Sequence, residues 1–196
     1  VVEGSEEHQA FPLDASSITA WGEIGVAIRA FDYMDNTANN YGVYSVILSV
    51  DSVEVFKSVA NHFSATEDRM INSWTYKRYM KSFIEPGNTL RMLEVKNENR
   101  GLITIDEEKD YLFTYMLTDL YGNTQSYSFT ITGKKQDIKP ILIRDKYHLK
   151  WNKINYLQEP GLNLFLPKNV LYDDLYLDVE LTHDSTYVSY LYKITS

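Results

Sequence analysis

The sequence predicts an all-β protein of two domains in which sheets pack face to face. Apolar residues recur at every second position in segment after segment, so one side of each strand is oily and the other wetter. Tyrosine occurs sixteen times in 196 residues, and with valine, isoleucine, threonine and phenylalanine it favours strands over helices. One polar stretch ending in proline interrupts the alternation and divides the chain.

Residues 1–17, "VVEGSEEHQAFPLDASS", are acidic and aperiodic, which predicts a lead-in strand or linker. In "GEIGVAIRAFD", Ile24, Val26, Ile28 and Ala30 alternate with Gly25, Ala27, Arg29 and Phe31, predicting one strand. After the polar loop "YMDNTANNYG", Tyr44, Val46, Leu48 and Val50 share a face, and Asp51–Ser52 turns the chain into "VEVFK" as a hairpin. Ser64 and Glu67 have capping-box spacing, so a turn or two of helix is expected inside a crossover spanning 64–83. "YLFTYMLTD" puts Tyr111, Phe113, Tyr115 and Leu117 on one side, and "QSYSFTI" does the same with Tyr127, Phe129 and Ile131. Between them, Gly122 and Asn123 both tolerate positive φ, which predicts a hairpin. "GKKQDIKP" ends the first domain, giving boundaries of 1–134 and 138–196. Beyond it "GLNLFLP" and "LYLDVEL" alternate again, and "YVSYLYKI" is the last strand candidate of a smaller domain, complete or incomplete.

Composition limits the function classes. A net charge of −8 and a pI near 5.0 repel a polyanion, and no run of lysine or arginine overcomes that locally, so nucleic acid is not an expected partner. No stretch approaches the roughly 18 apolar residues of a spanning helix, and no charged-then-apolar leader opens the chain. A start at Val1 suggests a mature or trimmed product whose export signal or upstream domain is missing. The absence of cysteine removes thiol chemistry and cysteine-ligated zinc.

Few residues invite a chemical role. His8, His62, His148 and His183 have neither the His-x-His nor the His-x-x-x-His spacing that aims two imidazoles at zinc. His183 beside Asp184 reads as a polar turn before it reads as a dyad, because strand neighbours face opposite ways. No serine sits in a nucleophile elbow and no glycine loop cradles phosphate. Asp32, Asp35, Asn36 and Asn39, with Asn40, offer calcium oxygen ligands, or else simply satisfy turn geometry. Trp74, Tyr76 and Tyr79 with Lys77 and Arg78 could form a platform for a sugar ring, or cover the open side of a sandwich. The amphipathic rings favour the second reading. Asp173–Asp174 and Glu107–Glu108, adjacent in sequence, cannot face each other across a glycosidic bond.

Two resemblances follow from these segments. "GVYSVILSVD" followed by "YLFTYMLTDLYGNTQSYSFTI" resembles bacterial immunoglobulin-like domains, with their Gly-Val strand and Asp-x-x-Gly-Asn hairpin. The ordered set "IGVAIRAFDYMDNTANNYGVYSVILSVD", "FSATEDRMINS", "EPGNTL" and "LPKNVLYDDLYLDVE" is similar to the region downstream of the catalytic domain in Bacteroidetes-type, lysostaphin-like zinc endopeptidases of the cell envelope. It covers most of residues 18–181. That resemblance implies an exported protein, in periplasm or cell envelope, whose separate peptidase domain cuts peptidoglycan cross-links. The peptidase's His-x-x-x-Asp and His-x-His motifs do not occur here, since Thr66 follows His62 and Asn152 follows His148 at the fourth position. No zinc ligand carries over.

The expectation is therefore an immunoglobulin-like β-sandwich followed by a smaller β domain. Its expected role is non-catalytic, without a cofactor of its own: scaffolding, positioning or contact with a peptidase domain, another envelope protein or peptidoglycan. The alternative is a stand-alone glycan or peptidoglycan-binding module using Trp74, Tyr76, Arg78 and Tyr79.

Overall fold

The computed structural model describes residues 2–3, 10–11, 18–33, 40–62, 64–138, 146–183 and 190–196. It is all β apart from a 3-10 turn at Asp68–Met70 that runs into a four-residue helix, α1, at Ile71–Trp74. The chain forms two compact units, Val1–Ile84 with Thr89–Ile138, and Glu85–Asn88 with Lys139–Ser196. Composition gives no sign that "EPGN" groups with the second unit. There the Gly87 N–H donates to the Tyr172 carbonyl at 2.7 Å, and a Cβ at Gly87 would lie 2.6 Å from the Leu171 carbonyl oxygen. Only glycine lets these backbones approach so closely.

Six strands make the main sheet of the first unit: β1 (Ile18–Ala20), β2 (Ser45–Val50), β3 (Val53–Val59), β4 (Leu93–Val95), β5 (Asp110–Thr118) and β6 (Thr124–Gly133). Their order is β4-β3-β2-β5-β6-β1, antiparallel except for the β6–β1 pair. Alternation on β5 buries Tyr111, Phe113 and Tyr115 while Leu112 and Met116 face solvent. Phe113 is paired with Phe129 across the hairpin, and their rings stack at 5.2 Å. On β2, Val46 and Leu48 are buried opposite Ser58 and Phe56. Burial fades toward the β5–β6 turn, where Tyr127 on the expected inner face is 42% exposed.

Both hairpins form as the pattern predicts, with differences in the turns. Asp51 and Ser52 take φ of 47° and 69°, the geometry that asparagine and glycine adopt most cheaply. Aspartate has a reason to be there, because its carboxylate accepts the Leu112 N–H at 2.9 Å at the outset of β5. In the second turn only Gly122 is left-handed, at φ 89°. Asn123 contributes its side chain instead: its N–H and Nδ2 both donate to the Asp119 carboxylate, and that bonding holds the Asp119 carboxyl below its usual range.

The expected single strand over 22–31 is two. Gly22–Ile24 pairs with Ile103–Ile105, while Ala27–Ile28 pairs with Tyr79–Lys81. The break falls at Gly25, where the Phe83 ring occupies the space a Cβ would need, 2.5 Å away, and the Val26 carbonyl accepts the Ser82 N–H. A strand exchanging partners is invisible to period-two reasoning.

These short pairs cover the inner face of the main sheet. Ile105 is fully buried, and a Cβ on Gly133 of β6 would lie 3.2 Å from its Cγ2 and 2.0 Å from the Glu107 carbonyl oxygen. The Tyr111 hydroxyl accepts the Glu107 N–H, and the Tyr115 hydroxyl bonds the Ser82 hydroxyl at 2.7 Å with both groups buried. Burial pushes the Tyr115 phenol up, so it stays protonated.

The crossover is fastened at its start. Glu67 accepts the Ser64 N–H and hydroxyl, both at 2.9 Å, and a two-point contact from Arg91 at 3.0 Å. This is half a capping box: Glu67 reaches back to Ser64, but the Ser64 hydroxyl meets the carboxylate rather than the Glu67 N–H. The Arg91 guanidinium, with help from Ser64, holds the Glu67 carboxyl well below the usual carboxylate range.

The second unit comprises β7 (Tyr147–Leu149), β8 (Asn155–Glu159), β9 (Leu162–Leu166), β10 (Leu175–Thr182) and β11 (Leu191–Thr195). A β7-β10-β11 sheet and a β8–β9 hairpin enclose Leu149, Leu157, Leu177 and Val179, with Leu162, Leu164, Leu166 and Tyr192 packed around them. Buried Asn155 pins the turn between β7 and β8: it accepts the Lys150 N–H and donates to the Lys150 and Lys153 carbonyls. Sheet on hairpin is a small two-layer core.

Tyr115→Phe should cost about 1–3 kcal/mol in urea denaturation, because it strands the Ser82 hydroxyl in the core, whereas adding Ser82→Ala should recover most of the loss. Equal losses in the single and double variants would mean that the unpaired Ser82 hydroxyl carries no penalty in the core. Folding lowers the Glu67 pKa, so its stabilisation exists above the unfolded value of 4.5 and is lost as pH falls below it. The thermal midpoint of Glu67→Gln should lie below wild type at neutral pH and approach it between about pH 5 and about pH 2. A gap independent of pH would contradict the assignment.

Candidate functional site

The predicted aromatic platform separates into an inner and an outer part. Trp74 ends α1 with its ring buried, 8% exposed, and its indole N–H donates to the Lys81 carbonyl at 2.9 Å. The chain then forms a tight hairpin, Thr75–Tyr76 with Tyr79–Lys81, turning at Lys77 and Arg78 with φ of 45° and 70°. Two consecutive non-glycine residues in that region are uncommon. Trp74 pins one end of this hairpin to the other by packing and by one hydrogen bond.

Tyr76 and Tyr79 are register partners and therefore share a face. Tyr76 is 38% exposed with the Lys77 ammonium 5.0 Å from its ring centre; Tyr79 is half-buried with the Arg29 guanidinium at 5.8 Å. Arg29 also lies 5.7 Å from the Phe31 ring. The cations already stand over the rings that a sugar would use. Arg78 is exposed at the turn and makes no ring contact among the described residues.

Of the calcium candidates, Asp35, Asn36 and Asn39 lie outside the described residues. Asp32 is half-buried and pairs with Tyr41 in a short ribbon, Asp32–Tyr33 with Asn40–Tyr41. His62 is exposed; His8 and Asp184 are outside the described residues. The His183 ring meets Tyr190 edge-on at 5.5 Å. Glu107 pairs with Lys109, and Glu108 accepts the Lys135 N–H.

A histidine–aspartate pair does form, from residues the sequence does not bring together. His148 Nε2 lies 2.7 Å from Asp174 Oδ2, while Asp174 Oδ1 accepts the Trp151 N–H at 3.1 Å. The imidazole stacks on Tyr176 at 4.3 Å and 16°, its register partner on β10. Burial raises the Asp174 pKa, but the His148 bond, the Trp151 N–H and the nearby Lys150 ammonium outweigh it and hold the carboxyl below its ordinary value. Chemically, the carboxylate orients the imidazole and ties the turn after β7 to the start of β10. Cross-strand register was the signal that could have found it: pairing His148 with Tyr176 brings the residue two before Tyr176 within reach.

The β8–β9 hairpin carries a second unanticipated surface. On its outer face Tyr156, 71% exposed, is paired with Phe165, 53% exposed, with ring centres 5.2 Å apart and planes inclined at 46°. Gln158 and Asn163 form the next pair on that face, both exposed. Alternation within "GLNLFLP" puts Phe165 opposite the leucines but gives it no partner.

A family model described as a Zu5-like domain matches residues 146–196, the stretch from the residue before β7 through β11, about a quarter of the chain. No curated protein and no solved structure matches. The matched stretch holds both the His148–Asp174 pair and the exposed Tyr156–Phe165 pair.

Proposed function

We propose that this chain is a non-catalytic accessory region of an exported, cell-envelope peptidase-like protein, serving to scaffold or position rather than to cut. The observation that carries this reading is the inward anchoring of Trp74, which makes the most chemically suggestive stretch of the chain a structural crossover. Further support comes from the ordered segments over residues 18–181 that resemble the region following the catalytic domain in lysostaphin-like zinc endopeptidases. An immunoglobulin-like arrangement of the first unit belongs to the same reading. The zinc motifs of that family are not carried by this sequence, so hydrolysis would come from a separate domain and this region would contact that domain, another envelope protein or peptidoglycan.

One observation favours the second reading, a glycan-binding module at the crossover. Tyr76 and Tyr79 share an outer face beside Arg29 and Lys77, which is a polar-aromatic patch of the right chemistry. Trp74 does not join it.

Incubated with purified peptidoglycan sacculi, the isolated chain should release no soluble fragments. The reading frame upstream of Val1 should encode a domain with both zinc motifs. Fragment release by the isolated chain, or a frame without such a domain, would contradict the accessory role. Sacculus binding abolished by Tyr76→Ala in a folded protein would favour the crossover module instead.

A further inference from the structure

We infer that the outer face of the β8–β9 hairpin is a binding site for a neutral polysaccharide, with Tyr156 and Phe165 stacking against a sugar ring and Gln158 and Asn163 bonding its hydroxyls. The inner face of this hairpin is consumed by the core, since Leu157, Leu162, Leu164 and Leu166 all pack there. Two large rings nonetheless stand outside, paired with each other and covered by no described residue. Adjacent exposed rings of this kind are a candidate contact surface.

The shape suits a saccharide. The 46° inclination of the two rings, which are in contact with each other, forms a shallow wedge rather than a flat apolar sheet, so a sugar ring seats across their exposed faces. Two residues further along, about 7 Å at the rise of a β-strand, the Gln158–Asn163 pair offers up to four N–H donors and two carbonyl acceptors. No hydrogen bond from either amide side chain to another described residue competes for them. One sugar unit on the wedge therefore brings the next unit of the same chain over the amides. Aromatic faces supply area with little ordering cost, and amides supply direction.

Charge selects the ligand class. All four residues of the two register pairs are neutral, and Ile154, just before β8, is also exposed and apolar. An acidic chain of net charge −8 disfavours polyanions generally, and this face has no cation within its pairs to recover them. An uncharged, hydroxyl-rich polymer is the partner that matches. The inference is independent of the accessory role proposed above, which concerns where hydrolysis resides.

The test is titration of the whole chain with soluble β-linked N-acetylglucosamine hexamer and with a neutral β-glucan hexamer, followed by calorimetry and by amide chemical shifts. At least one should bind, with shift changes centred on β8 and β9. Tyr156→Ala and Phe165→Ala should each weaken binding about tenfold or more, while Leu120→Ala, an exposed apolar change in the β5–β6 turn, leaves it unchanged. Should an aromatic variant fail to fold, Gln158→Ala with Asn163→Ala, both fully surface changes, must give the same loss. Three results would overturn the inference: no binding of either hexamer, shifts centred elsewhere, or binding indifferent to all four substitutions. Concentration-dependent dimerisation abolished by Tyr156→Ala would overturn it too, by assigning the face to a second copy of the chain.

Discussion

The inward row of rings on β5 is the constraint on which the first unit depends. Because successive side chains on a strand point to opposite faces, Tyr111, Phe113 and Tyr115 cannot be buried without turning Leu112 and Met116 outward. The register then fixes Phe129 against Phe113 and Leu48 against Tyr115, so β2 and β6 are aligned by the same rings. Tyrosine adds what phenylalanine could not. Its hydroxyl must find a partner in the core, and at Tyr115 that partner is Ser82, at the end of the crossover.

Seen from the core outward, the crossover is a cover held at several points. Glu67 and Arg91 fasten its beginning, Met70 and Trp74 are buried in its middle, and Ser82 closes its end. The tight turn at Lys77–Arg78 lets the chain double back so that the Trp74 N–H meets the Lys81 carbonyl. A stretch rich in rings and cations therefore presents to solvent only what the packing leaves over. In the second unit the outcome is reversed: the leucines of β8 and β9 satisfy the core, and the rings are what remains outside.

How much of this was legible in the sequence follows from which interactions are local. Strand alternation and turn chemistry are local, so the β2–β3 and β5–β6 hairpins, the leucine faces of β9 and β10 and the brief helix could be read directly. Partner choice is not local. Nothing within "GEIGVAIRAFD" says that Gly25 must yield its place to the Phe83 ring, and the strand breaks there. Likewise "EPGN" joins the second unit through a backbone contact of Gly87 with residues over eighty positions away. The sites divide in the same manner. His183–Asp184 invited attention because its residues are adjacent, whereas the pair that forms, His148–Asp174, and the exposed Tyr156–Phe165 pair both arise from register between strands.

The conspicuous rings of the first unit hold its layers together, and Trp74 is part of that core. Native-state hydrogen exchange tests it most directly, with the Trp74 indole proton followed beside the backbone amides of Leu48, Phe113 and Tyr115. The indole proton should exchange only with unfolding, at a protection comparable to those amides. Exchange at the rate of a solvent-exposed indole, while the β5 amides stay protected, would show that Trp74 belongs to an open surface and would contradict it.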